Sequence, residues 1–229
     1  MSIAVNPAVP LLLCHILVRI AVIQFSIAFS SASRMISTAH MMEHLTVSLF
    51  QENNMALPPL DDFDSDWSPV PQFALMAYSI SAALILWLAN TGEGWVFLLD
   101  NANLVFHEAG HPIFSILGES VTVYGGTMGQ LVFPLVAAWS FRRQHATASY
   151  SFSLLWLGEN MFNIARYMAD ARAQILPLVG NGEHDWTEIF SRWNMLGGDT
   201  FIAGIVRLIG WLLIIGTGIW LWYRSRQTG

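Results

Sequence analysis

Three residues carry the most specific chemistry in the chain. They are His107, Glu108 and His111, in the run Phe106-His-Glu-Ala-Gly-His-Pro112. Histidines four positions apart sit one above the other on a helix face. Two imidazoles so placed bind one metal ion, and the glutamate between them reaches a water on that ion as general base. Zinc lowers the pKa of such a water to about 7, which makes hydroxide available at neutral pH. The expected cofactor is therefore Zn2+, held by His107 and His111, with Glu108 as the catalytic base. The plainer alternative is a buried polar cluster that only pins neighbouring helices. Pro112 frees a backbone carbonyl beside the motif.

The pattern leaves the third ligand open. Glu159, Asn163, Arg166 and Asp170 fall within about 60° of arc at roughly 100° per residue, with Tyr167 on the flank. A polar stripe on an otherwise apolar membrane helix should face the bundle interior. It offers Asp170 as a metal ligand, Asn163 or Arg166 as a donor to a developing oxyanion, and Glu159 for outer contacts. The bland reading is an ion-pair ladder from Glu159 through Arg166 to Asp170. The competing ligand is His184, in the loop Gly180-Asn-Gly-Glu-His-Asp-Trp186. Asp185 can orient it, and Asp185 or Glu183 is a further option for the ligand itself. Two smaller motifs remain. Val121-Thr-Val-Tyr-Gly-Gly126 predicts a short edge strand onto which an extended substrate adds, or else a connecting turn. His40-Met-Met-Glu-His44 spells an inverted zinc motif, and reads as coincidence.

Composition says what must position these residues. Of 229 residues, 54% are hydrophobic and only 11% charged, against about a quarter in soluble domains. All ten basic residues are arginine, and there are ten tryptophans, a residue that membrane proteins place at the lipid interface. The net charge of −6 excludes a basic field for nucleic acid. Cys14, the only cysteine, excludes internal disulfides and cysteine-based zinc sites. A bilayer core takes about 20 apolar residues per helix. Candidate spans run over 73–90, 95–117, 128–141, 148–169 and 201–223, the third being short enough to be tilted or re-entrant. The expected fold is an all-α polytopic membrane bundle of five or six helices.

Arg142 and Arg143 lie between the third and fourth of these spans, and Arg224 and Arg226 follow the last. Two spans separate the two arginine pairs, so both pairs share a side, which the positive-inside rule makes the cytoplasm. The acidic stretch Asp61, Asp62, Asp64 and Asp66 and the loop from Asp170 to Asp199 are then expected outside. The chain divides into an N-terminal segment 1–55, an acidic linker 56–72 and a membrane domain 73–229. Val9 to Ser30 is apolar enough for a sixth helix or a signal anchor, and translation starting at Met41, Met42 or Met55 is a third reading.

A membrane-embedded HExxH, a glycine-containing segment after it, and a later membrane helix with Asn and Asp resemble the site-2 protease family of intramembrane zinc metallopeptidases. The likeness is closest to the compact bacterial branch of that family and covers roughly Ala74 to Tyr223. It implies that His107, His111 and Asp170 ligate zinc and that Glu108 is the base. The segment from Asn163 to Ala171 lacks the proline and the glycine that usually flank the family aspartate. The implied activity is hydrolysis of a peptide bond in a membrane-associated protein, within a bacterial inner membrane and with the C terminus cytoplasmic. Two other functions stand beside it. One is a non-catalytic membrane subunit or scaffold with an idle metal site. The other is a zinc hydrolase of lipid or another non-peptide bond, since the motif specifies the water and not the substrate.

Overall fold

The computed structural model describes residues 67–92, 94–178 and 184–227. The chain divides into the units Met1–Trp67 and Ser68–Gly229, and only the second is considered below. Val9 to Ser30, the acidic stretch 61–66, His40 to His44 and Glu183 lie outside the described residues.

Among the described residues all regular structure is helical. The helices are α1 (Gln72–Ala89), α2 (Phe97–Ser115), α3 (Glu119–Arg143), α4 (Thr147–Ala169), the short α5 (Asp185–Arg192) and α6 (Asp199–Gln227), with a 3-10 turn at Leu196–Gly198 before α6. α1, α3 and α6 are long and apolar enough to cross a membrane. Their outward faces carry exposed Phe73, Met76, Ile80, Trp139, Leu212 and Trp222, as lipid contact requires.

Four long helices alternate in direction. Ser68, just ahead of α1, meets Thr147 at the start of α4, with its Oγ 3.0 Å from the Thr147 nitrogen. Tyr78 donates from its hydroxyl to the Ile214 carbonyl at 2.7 Å, and Arg207 donates to the Ala89 carbonyl at 2.8 Å. α1 therefore runs with α4 and against α6. At one end of the bundle, here the arginine end, α3 and α6 finish with Arg142, Arg143, Arg224 and Arg226 in their last turns. At the other, α1 and α4 finish and α3 and α6 begin.

The helix bearing the HExxH motif departs from the expected span. α2 starts next to Trp95, over whose ring Arg166 of late α4 sits at 4.9 Å. It ends three residues before α3. Both its ends lie at the end away from the arginines, so α2 is laid across the bundle and does not traverse it. One consequence reaches α1. Its N-terminal end lies at the arginine end, beside Thr147, and not opposite it as the five-span count required.

The expected edge strand is also corrected. Val121 to Gly126 belongs to the first two turns of α3. Its glycines are contact points. A Cβ on Gly125 would stand 2.8 Å from the Gly110 carbonyl oxygen, and a Cβ on Gly129 would overlap the backbone of Phe106. Gly125 and Gly129 form a GxxxG seam, the small-residue contact that lets membrane helices approach closely. A second seam, Gly158 against Gly210, joins α4 to α6.

Candidate metal centre

The α2–α3 seam sets His107 and His111 on the inner face of α2. Gly126 is bare where the His107 ring lies, and any side chain there would overlap the imidazole. α5 closes the site from the third side. Ile189 and Phe190, both fully buried, anchor it among Val123 of α3 and Ile164, Ala165 and Met168 of α4. Asp185, its first residue, then points at the two histidines.

Ligand atoms of His107, His111 and Asp185 lie within 4.8 Å of one another. Asp185 Oδ2 is 2.8 Å from His107 Nε2 and 3.3 Å from His111 Nε2. The outer hydrogen bonds place a hydrogen on each Nδ1. His111 Nδ1 is 2.9 Å from the Thr122 carbonyl oxygen, which can only accept, so Nδ1 donates. His107 Nδ1 is 2.8 Å from Gln130 Oε1. The Gln130 amide nitrogen is committed to two oxygens, Asn160 Oδ1 at 2.7 Å and Asn163 Oδ1 at 3.2 Å, so its Oε1 must face the ring as acceptor. Both imidazoles turn Nε2 toward the same carboxylate oxygen, and in their neutral forms each presents a lone pair there. With both rings neutral, two nitrogens and one carboxylate oxygen converge as acceptors. A proton on His107 or a metal ion between the three groups satisfies that arrangement, and N, N, O is a donor set that binds a divalent metal. The group can hold a metal ion.

Glu108 lies on the rim rather than in the cluster. It lines a cavity of about 480 Å³ together with His107, His111, Tyr167 and Asp185. Arg192 ties the outer wall, donating to the Ser120 carbonyl at 2.8 Å and pairing with Glu188. A second cavity, of about 310 Å³, meets the same His107 and Glu108 and runs toward Trp95, Asn163 and Arg166.

Of the residues singled out in the sequence, His107, Glu108, His111, Asn163 and Arg166 are brought to these cavities. Asp170 and His184 are not part of the cluster. α4 ends at Ala169, and the Asp170 carboxylate turns back to accept from the backbone nitrogens of Ile175 and Leu176 at 2.9 and 3.1 Å. His184 caps α5, its Nδ1 accepting from the Thr187 nitrogen at 3.3 Å. Its Nε2 lies 3.5 Å from Asp170, and its ring centroid lies 4.2 Å from that of Tyr167. Burial pushes the His184 imidazole down from its ordinary pKa, with Asp170 pulling the other way. Both residues therefore shape the loop that delivers Asp185. The third member of the cluster is Asp185, the further option beside the competing His184, and not Asp170.

The sequence offered no signal for Gln130 and Asn160. They continue the polar network inward. Asn160 donates to the Gln130 carbonyl at 2.7 Å and to Asn103 Oδ1 at 3.2 Å, and Asn103 donates to Glu159 at 2.8 Å. Asp100 shares hydrogen bonds with Asn163 and Glu159. The ladder from Glu159 through Arg166 to Asp170 does not form: Glu159 bonds to Asn103 and Asp100, and Asp170 to its own loop. No protein-family model matches the chain, and neither a curated protein nor a solved structure matches it.

Proposed function

We propose that this chain is a zinc-dependent peptidase embedded in a bacterial inner membrane, of the site-2 protease kind, with the C terminus in the cytoplasm. Its zinc ligands are His107, His111 and Asp185, and Glu108 is its general base. The observation that carries this is the convergence of His107 Nε2 and His111 Nε2, on the HExxH helix, with Asp185 Oδ2, all within 4.8 Å of one another. A bound zinc supplies Lewis acidity and a water acidic enough to ionise near neutral pH. Glu108 faces the cavity, takes the water proton and passes it to the leaving amine nitrogen. Asn163, held by Gln130 and Asp100, is the candidate donor to the carbonyl oxygen. Four spans, α1, α3, α4 and α6, hold the site, with α2 re-entrant.

Positive-inside orientation of Arg142, Arg143, Arg224 and Arg226 puts the cavities on the face away from the cytoplasm. The test joins metal content to activity in detergent-purified full chain. Wild-type protein is expected to carry about one zinc per chain. Glu108→Gln should keep that zinc and lose peptide hydrolysis by about 10²–10⁴-fold, the usual worth of a general base. Absence of zinc, or unchanged hydrolysis in Glu108→Gln, overturns the reading.

A further inference from the structure

The second cavity has a composition that names what it takes. At one end are His107 and Glu108, the centre of the reaction proposed above. Along its walls are Trp95, Leu104, Leu176, Pro177 and Leu178, all apolar. One cation, Arg166, also lines it, its guanidinium carbon 4.9 Å from the centre of the Trp95 ring. Its guanidinium makes no hydrogen bond among the described residues, and its charge acts on buried Asp100 through the bundle. The spacing is short. Asn163 is one hydrogen bond from Gln130, which is one from His107. Arg166 stands one turn beyond Asn163, about 5–6 Å on at the level of Cβ.

We propose that Arg166 binds the free α-carboxylate of the substrate, so that the enzyme cuts close to a peptide C terminus and seats the released apolar residue or two in this cavity. A guanidinium is a planar two-pronged donor that matches a carboxylate, and a cation–π contact with Trp95 anchors it without using any of its N–H donors. A volume of about 310 Å³ suits one or two side chains and not a diacyl lipid. A phosphate monoester would ordinarily meet more than one cation, and here there is one. In the reaction, the oxygen of water bonds to the scissile carbonyl carbon and the carbon–nitrogen bond breaks. One proton goes through Glu108 to the nitrogen that leaves. The carboxylate on Arg166 takes no part in bond making; it fixes which bond lies over Glu108. This rests on the proposed peptidase reading.

The experiment uses zinc-loaded full chain in detergent. It compares peptides that end in apolar residues and carry either a free or an amidated C terminus. Wild-type kcat/KM should favour the free acid by about 10- to 100-fold, the range for a charge-assisted hydrogen bond. The difference should lie mainly in KM. Arg166→Gln should bring the free-acid value down to that of the amide with bound zinc at the wild-type level, and Arg166→Lys should keep part of the preference. Equal rates for acid and amide in wild type overturn the subsite and leave the peptidase reading standing. Cleavage of neither peptide, with a product released from phosphatidylglycerol vesicles, overturns both in favour of a lipid hydrolase.

Discussion

The state of each histidine is set by what lies behind it. Thr122 and Gln130 can accept but not donate toward the rings, so the metal-facing nitrogens are left basic. This outer contact is a design element in its own right, because such partners typically govern metal affinity by 10–100-fold. Gln130→Ala should weaken zinc binding by about that factor, measured by competition with a chelating dye, while leaving the fold intact. Asp185→Ala should cost more, since on the proposed reading it removes a ligand. Asp170→Ala should retain zinc and instead destabilise the protein by about 1–3 kcal/mol, because two backbone nitrogens of the loop lose their acceptor. Zinc content and thermal unfolding on the same samples separate the two aspartates. Zinc lost from Asp170→Ala and kept by Asp185→Ala would reverse the assignment. His107, Glu108 and His111 were legible in the sequence because i and i+4 is a local relation that helix geometry fixes by itself. Asp185 was not. It reaches the site from 78 residues away in sequence, and its approach depends on an eight-residue helix whose docking no local pattern reveals.

At the scale of elements, the seam between α2 and α3 governs both packing and chemistry. Its glycines read in sequence as a turn after a β-prone run, since Val-Thr-Val-Tyr followed by two glycines favours extended structure in water. In a helix–helix contact the same glycines remove side chains where backbones must touch. Periodicity cannot distinguish those two uses, because it reports side-chain polarity and not the distance between main chains. Gly129→Ala should therefore cost about 1–3 kcal/mol from overpacking, read as a lowered midpoint of unfolding. Gly126→Ala should be different in kind. It presses on the His107 ring and should reduce zinc occupancy more than it reduces stability. Equal loss of both quantities in the two variants would show that the seam acts on packing alone.

For the whole molecule, helical class and membrane character follow from composition, and both hold in the structure to the extent that every described element is helical and three helices suit a bilayer. The count of crossings was harder to read. α2 has the length and much of the apolar content of a span, and only its tertiary contacts, Trp95 with Arg166 at one end and His111 with Thr122 at the other, show that it returns to the end it entered. With Cys14 replaced, single cysteines at Gln144 and Gln174 should label from opposite sides of intact spheroplasts with an impermeant maleimide, and the cysteine at Gln174 should be the one accessible from outside. Labelling of both from the same side would contradict the four-span arrangement.

The crosswise lie of α2 has a practical corollary. In the proposed four-span arrangement, a helix that enters and leaves by one face makes the centre a socket open to a single compartment, not a passage between two. If the proposed zinc peptidase activity holds, a charged chelator that cannot pass lipid should abolish it in whole cells when supplied outside, and added zinc should restore it. The cytoplasmic metal pool would have no direct access to the site, and occupancy would follow the zinc available in the medium.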